Sequence, residues 1–459
     1  MKKKGNEVYF KDHYRLKEFD EYIFSPLDTN VFLKINEKDK TKLSHLRNDI
    51  LKELNNECNS YDEYTIKWGV EDNKKYKLAK GVFIPPGKDK SFVKGIVKTN
   101  NTISYNYPLD TDSEVNNIQC KVEKIVFYIY EYGIGTISMK VNVSADKSIT
   151  VEQMDQVSEF INNKFRKTLS NLCIFVRDTF KRITSNKEAA LSLELFKRNN
   201  RKLSRDCIPW THRIYHINDN ELLTSDKPGE FFRFLVTPSS QVDIHDFSIY
   251  DHRYIYFGWG HSIIITDEYD DGYEQTTVNI DYYIRLVEIA QAKWQCLNKV
   301  NSMVDSELLY FNSRFEDIKL KHIEQTIYEI QLFNTNINSI LRSLDDLKIT
   351  FDTEKRNLLK ELNDRWHVDT LKENLLSSMD EIEKKLMYLR DRKISINDGR
   401  LNSILFILTI ISSIEVFVTI YNLIWADNTK AIVSEAVFTF SSTITLLIFI
   451  IFYINRRKI

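Results

Sequence analysis

Two apolar runs near the C-terminus constrain this chain more than any other feature. Leu401–Ile424 is apolar apart from Asn402, Glu415, Asn422 and a few serines and threonines, and Ala431–Ile454 carries one charge, Glu435. At 1.5 Å per residue each run spans about 36 Å as a helix, enough to cross the hydrocarbon core of a bilayer. Only Trp425–Lys430 separates them, so a tight hairpin of two transmembrane helices, 401–424 and 431–454, is expected in preference to a buried soluble hairpin. Arg390, Arg392, Lys393 and Arg400 precede the first run and Arg456, Arg457 and Lys458 follow the second, against Lys430 alone in the loop. Basic residues stay on the cytosolic side, which puts the loop outside and both termini in the cytosol. The richness in Lys, Asn and Ile is that of an AT-rich bacterial genome, so the membrane expected is a bacterial inner membrane.

The rest of the chain reads as soluble. Its 459 residues leave room for two or three units. With 64 basic and 65 acidic residues the net charge is -1, which gives no whole-chain argument for a nucleic-acid partner. Five scattered cysteines (Cys58, Cys120, Cys173, Cys207, Cys296) form no C-x-x-C pair and read as reduced cytosolic thiols. Lys2–Lys4 lead into no apolar stretch, so no cleavable signal peptide is expected.

From about Val278 to Arg400 there is no proline and Gly399 is the only glycine. Leu358, Leu362, Trp366, Val368, Leu371, Leu375, Met379, Ile382, Leu386 and Leu389 recur at helical steps among charged residues, as in an amphipathic or coiled-coil helix. Breaks are expected near Asn334–Asn338 or Thr350–Thr353, with a last helix from about Thr353 running straight into the first span. Such a rod would be on the order of 100 Å long, a spacer or a lever coupling a cytosolic domain to a pore.

Residues 1–277 read as a mixed α/β domain, 278–400 as a helical stalk and 401–459 as the membrane hairpin with a basic tail. Strands are predicted at Lys124–Tyr132, Thr136–Val143, Phe231–Thr237, Arg253–Phe257 and His261–Thr266, all rich in β-branched or aromatic residues. A helix is predicted at Val151–Ile183, opened by the capping-box pattern Thr150-x-x-Gln153. Tyr128–Ser138 echoes Tyr254–Ile263: strand, glycine turn, strand, then a long helix. A duplicated α/β sandwich and a chance likeness both account for the echo.

Several constellations carry little chemistry. Gly133-x-Gly135 and Gly258-x-Gly260 lack the third glycine of a dinucleotide fingerprint and read as hairpin turns. His212 and His216 lie four apart in a stretch whose alternation argues against a helix, so a structural role is preferred to a metal site. Pro85–Ser91 reads as a solvated loop, or less simply as an anion cradle. No nucleophile–base or paired-carboxylate arrangement stands out, and no enzymatic activity is expected.

The first membrane run carries the strongest functional signal. Leu401, Ile404 or Leu405, Leu408, Ser412, Glu415, Thr419 and Asn422 fall on one helical stripe, apolar toward the cytosol and polar toward the outside. Glu415 lies about 21 Å from the cytosolic end, a depth at which an ionisable group faces a bundle interior or a water-filled path. A pore lined by this stripe is preferred to a Glu415 hydrogen-bonded to a neighbouring helix. Two helices cannot enclose a pore, so the pore requires several copies of the chain.

An α/β domain, a long stalk entering the first of two C-terminal spans, a short outer loop and a basic tail resemble the CorA-type metal-ion channels. The local match is Ile420-Tyr421 at the end of the first span and Arg456-Arg457-Lys458 at the C-terminus. The Gly-Met-Asn signature of that family is absent: the sequence reads Tyr421-Asn422-Leu423-Ile424-Trp425, with Asn422 alone standing for its asparagine. The chain is similar in this respect to the divergent CorA-like effectors of type III CRISPR systems. The resemblance implies a homo-oligomer, by analogy a pentamer, gated from the cytosol by a nucleotide second messenger, adenylated S-adenosylmethionine. It also leaves two other expectations: a divalent-cation transporter of the magnesium type, and a membrane-anchored coiled-coil scaffold. No residue of a ligand site follows from it.

Overall fold

The structure, a computed structural model, describes residues 14–33, 40–62, 64–70, 91–99, 101–108, 115–185, 207–225, 228–236, 244–248, 253–258, 260–267, 280–314, 322–345, 353–424, 440–442 and 444. It divides into two compact units, residues 1–313 with 332–379, and residues 314–331 with 380–459. The Pro85–Lys90 part of the expected loop and most of the second expected span, 431–454, lie outside the described residues. Within that span Phe440–Ser442 and Ile444 are helical.

Unit one is organised by strands β1 Arg15–Phe32, β2 Ser60–Tyr61, β3 Tyr64–Gly69, β4 Val93–Lys98, β5 Thr102–Pro108, β6 Val115–Ile129, β7 Tyr132–Thr150, β8 His212–Asn218, β9 Arg253–Phe257 and β10 His261–Thr266. They form one sheet in the order β2-β3-β4-β6-β7-β1-β8-β10-β9, with β5 also paired to β6. Every pairing is antiparallel except β8 with β10. β4 and β5 run in succession beside β6, one along Ile125–Ile129 and the other along Val115–Lys121, and Val122 N–H donates to Asn101 C=O at 3.1 Å between them. In β3 the buried side chains Tyr64, Ile66 and Trp68 alternate with exposed Thr65 and Lys67, the period of a half-buried strand. Gly95 on β4 faces Trp68: a Cβ there would stand 2.9 Å from the indole.

The helices are α1 Lys40–Glu57, α2 Val151–Ser185, α3 Asn220–Leu223, α4 Pro228–Phe231, α5 Arg233–Val236, α6 Ile280–Arg314, α7 Ile323–Asp345, α8 Thr353–Arg365 and α9 Val368–Ile424. α2 covers one face of the sheet with a stripe that includes Met154, Ile161, Phe165, Leu169, Leu172, Val176 and Phe180. Its start is the predicted capping box: Thr150 N–H donates to Gln153 Oε1 at 2.9 Å and Gln153 N–H to Thr150 Oγ1 at 3.3 Å. α6 lies on the other face. The Arg285 guanidinium stacks 3.9 Å over the Tyr128 ring and donates to the Tyr130 hydroxyl at 2.6 Å. Lys299 pairs with Asp28 and donates to Gly133 C=O at 3.2 Å.

Three expectations need correction. Phe231–Thr237 is not a strand: up to Val236 it forms the end of α4 and α5. Phe232, Leu235 and Val236 are buried at helical spacing, and a short apolar run of this kind fits either period until its neighbours choose. Of the two places expected for a break, Asn334–Asn338 is helical, because the apolar stripe Ile330, Phe333, Ile337, Ile340, Leu344 continues through it. α7 ends at Asp345 and α8 begins at Thr353, and the residues between, 346–352, lie outside the described residues. The last helix does not run unbroken from Thr353: it stops at Trp366, and His367 takes the left-handed φ of 51°. Trp366 is only 2 % exposed, with its ring edge-on to Trp210 and His212 and its carbonyl accepting from Trp294 Nε1 at 2.8 Å. That seat turns the chain before α9 begins.

The other strands overlap their predictions, and β9 and β10 match them. Both glycine pairs sit at hairpins. Tyr130 N–H donates to Ile134 C=O at 2.9 Å, Gly133 adopts φ 81°, and Gly258 N–H donates to His261 C=O at 2.7 Å. The strand–turn–strand–helix order therefore occurs twice, but not as a duplicated sandwich. β6 and β7, of 15 and 19 residues, lie inside the sheet, whereas β9 and β10, of 5 and 6, finish one edge of it.

Candidate functional site

α9 is the one helix among the described residues that is long and apolar enough to cross a membrane, and its apolar window buries nothing within the chain. Leu401, Ile404, Leu405 and Leu408 are 53–58 % exposed, and Ser412, Glu415 and Thr419 are exposed as well. Asn422 lies on the same helix. A different stripe, Ser403, Ile407, Ile410, Ile414 and Val418, is half-buried. At about 100° per residue the two stripes point roughly 120° apart. The helix is thus exposed over most of its surface, with Phe406, Val416 and Phe417 open as well, and the predicted stripe lies away from its one less exposed line.

The polar groups of this span divide by how they are satisfied, not by face. Ser403, Thr409, Ser413 and Thr419 donate their hydroxyls to the carbonyls of Gly399, Leu405, Thr409 and Glu415, four residues back, at 2.7–2.8 Å. Hydroxyls used in this way add little polarity to a helix surface. Ser412 and the Glu415 carboxylate make no hydrogen bond among the described residues. The stripe is therefore less polar than its sequence, with its demand for partners concentrated at 412 and 415.

The same uncovered line continues below the span. Met387 and Ile394 are 52 % and 56 % exposed and lead by seven-residue steps to Leu401 and Leu408. The opposite side of this stretch, Ile382, Leu386 and Leu389, is buried. Lys393 pairs with Glu324 of α7 at 2.6 Å, and this charge partner holds the Glu324 carboxyl below its usual range.

A second constellation lies inside unit one, and the sequence analysis missed it. Glu21 on β1 is completely buried. The Ser158 hydroxyl of α2 donates to its Oε1 and accepts from Arg213 Nη1 at 3.0 Å and from the Tyr215 hydroxyl at 2.9 Å. Glu21 Oε2 and His261 Nε2 are buried and have no hydrogen-bond partner among the described residues. The His261 ring stacks at 3° and 6.1 Å on Tyr215. Burial, aided by Asp155 and Glu159, pushes the Glu21 carboxyl up to about 7 against the pull of Ser158 and Arg213. Burial and Arg213 together push His261 down to about 4. The available sign was Glu21 itself, an acid at an inward position between Phe19 and Ile23.

The remaining candidates are structural. His212 and His216 lie on β8, as their alternation predicted, and contact Ser262 Oγ at 2.8 Å and Thr266 Oγ1 at 2.9 Å on β10. Among the described residues no three His, Cys, Asp or Glu side chains group as metal ligands. All five cysteines are free and buried, and burial pushes the thiols of Cys58, Cys120 and Cys296 up to about 12, where they are unreactive. Comparison with family models, curated proteins and solved structures found no match to this chain.

Proposed function

We propose that this chain is the subunit of a homo-oligomeric membrane channel whose α9 helices line the pore and whose cytosolic unit gates it. The observation that carries the reading is the exposed stripe of α9, which holds Glu415, without a hydrogen-bond partner among the described residues, about 21 Å into an apolar span. In lipid such a group is costly. Turned toward copies of the same stripe around a water-filled path, it is hydrated and concentrates cations. The continuation through Ile394 and Met387 supports contact between parallel copies below the membrane, since a seven-residue repeat is the spacing of helices that wind around each other. The second span and the pentameric state belong to the same proposal, as do the cytosolic termini.

Ion preference in planar bilayers tests it. Glu415→Gln keeps size and hydrogen bonding but removes charge. The oligomer should survive in detergent, while the cation-over-anion ratio falls by about tenfold, the equivalent of roughly 1.4 kcal/mol. Glu415→Leu should lower conductance by extending the apolar constriction of Leu401, Ile404 or Leu405, and Leu408. Unchanged ion preference in the first variant with loss of assembly in the second would instead make Glu415 a hydrogen-bonding strut. Adenylated S-adenosylmethionine, the ligand implied by the antiviral branch, is the first gating ligand to add to these bilayers.

A further inference from the structure

We propose that Glu21 is a buried proton-binding site: uptake of one proton from solvent fastens α2 to β1 and β8, its release loosens that contact, and residues 210–213 carry the change to the Trp366 seat of α9. This inference does not depend on the channel reading.

The geometry begins with an incomplete hydrogen-bond set. A carboxylate offers about four acceptor positions, and Glu21 receives one donor, Ser158. The Ser158 hydroxyl is saturated: it gives its proton to Glu21 and takes hydrogen bonds from Arg213 and Tyr215. Arg213, the cationic group of the cluster, reaches Glu21 only through that serine. It also stands 3.4 Å from Glu159 and 3.9 Å from Asp155 at the half-open rim on α2. The groups facing Glu21 are therefore Asp155, Ser158 and Glu159 from α2, Arg213 and Tyr215 from β8, and Cys120 from β6, with His261 of β10 stacked on Tyr215. Three carboxylates share one guanidinium. A proton on Glu21 removes the one carboxylate that water does not reach and leaves Arg213 to the two at the rim. Ionised, Glu21 is a buried charge with a bare oxygen, and the α2–sheet contact bears that cost. The position of the carboxyl, near 7, places the exchange at neutral pH.

The path outward follows from the two-residue alternation of a strand. Thr211 and Arg213 point to α2, where the Thr211 hydroxyl donates to Asn162 Oδ1 at 2.8 Å. Trp210 and His212 point the other way, onto Trp366. Trp210 also donates to Gln295 of α6 at 3.3 Å, and Asn301 of α6 donates to Leu371 C=O in the first turn of α9 at 2.8 Å. A four-residue stretch thus touches the proton site with one set of side chains and the base of α9 with the other.

The test uses the full-length chain in lipid nanodiscs. Infrared spectroscopy should show the carbonyl band of a protonated acid that disappears as pH rises through about 7 and is missing in Glu21→Gln. Amide hydrogen exchange, corrected for its intrinsic pH dependence, should show α2 around Ser158 and α9 at Val368–Met379 losing protection together over the same range. In Glu21→Gln both should be independent of pH there. Ser158→Ala keeps the carboxyl and removes the bond that favours its ionised form, so the midpoint should move upward; this variant decides the matter if Glu21→Gln does not fold. A band that persists in Glu21→Gln, exchange that titrates as in the parent, or a midpoint unmoved by Ser158→Ala would overturn the site. Titration of α2 without any response at Val368–Met379 would overturn the relay through β8.

Discussion

α2 and the apolar part of α9 are helices of similar pattern with opposite fates. Both repeat large apolar side chains at three- and four-residue steps. In α2 that stripe is sealed against the sheet, and the serine within it, Ser158, makes three hydrogen bonds to β1 and β8. In α9 the stripe from Leu401 to Thr419 is exposed, and Ser412 and Glu415 on it have no described partner. A polar group on an apolar stripe must be satisfied somewhere. In α2 the chain supplies the partners itself; in α9 none of the described residues does.

The largest effect that separates the two helices is a core truncation. Phe165 is 1 % exposed on α2, whereas Leu408 is 53 % exposed on α9. Phe165→Ala should destabilise unit one by about 3–5 kcal/mol, through lost burial and the cavity left behind. Leu408→Ala should leave the unfolding midpoint of that unit within about 0.5 kcal/mol of the parent and change conductance instead. Denaturant unfolding followed by tryptophan fluorescence measures the first arm, and bilayer recordings the second. Equal destabilisation by both variants would show that the exposed stripe of α9 supports the fold of unit one, and the contrast would fail.

A smaller effect concerns pH. Glu21 is pushed up from 4.5 to about 7, so the folded chain keeps a proton that the unfolded chain releases. Its contribution to stability is full below about 4.5 and is lost as pH rises through about 7. His261 is pushed down from 6.5 to about 4, so its contribution is present above about 6.5 and lost as pH falls through about 4. The slopes oppose each other between about 4.5 and 6.5 and nearly cancel in the parent chain. Each one alone approaches about 1.4 kcal/mol per pH unit. Glu21→Gln should uncover a stability that rises with pH over that window, and His261→Gln one that falls. Identical profiles for the parent and both single variants would remove these groups from the pH response.

How much of this was legible in the sequence follows from where the deciding partners lie. β9, β10 and the capping box are local patterns and were read correctly, and 401–424 is helical as expected. The α4–α5 stretch was misread because Phe232, Leu235 and Val236 satisfy a strand or a helix until β9 and β10 are placed beneath them. The break at Trp366 was missed because Leu358, Leu362 and Trp366 keep the helical step, with no proline or glycine to mark a stop. What stops α8 is the pocket made by Trp210, His212 and Trp294, which lie 72 to 156 residues earlier in the chain. The Glu21 cluster gathers β1, α2, β8 and β10 across the sheet, and only an inward-facing acid announced it. The stripe from Leu401 to Thr419 was legible as a face, but the sequence overstated its polarity, since the Thr419 hydroxyl is spent on the Glu415 carbonyl.

The smallest expected effect lies at the helix starts. α2 opens on a reciprocal pair of local bonds between Thr150 and Gln153, whereas α9 opens after the turn at His367, held by the distant Trp294 and Asn301. Local caps are worth about 1 kcal/mol, because one otherwise unsatisfied N–H loses its acceptor when the side chain is removed. Thr150→Ala should therefore lower the stability of unit one by about 1 kcal/mol. Gln153→Ala should cost less, since it frees the N–H of Thr150, which is only partly buried. The double variant should fall short of the sum of the two, because each residue serves the other's bond. At α9 a local change should matter little: Asp369→Ala in its first turn removes a favourable charge worth about 0.3–1 kcal/mol, while Trp294→Phe removes the hydrogen bond to Trp366 and should loosen the base of the helix in amide exchange. If Asp369→Ala loosens that base more than Trp294→Phe does, α9 is started by its own sequence, as α2 is, and the distinction between a locally capped and a remotely seated helix fails.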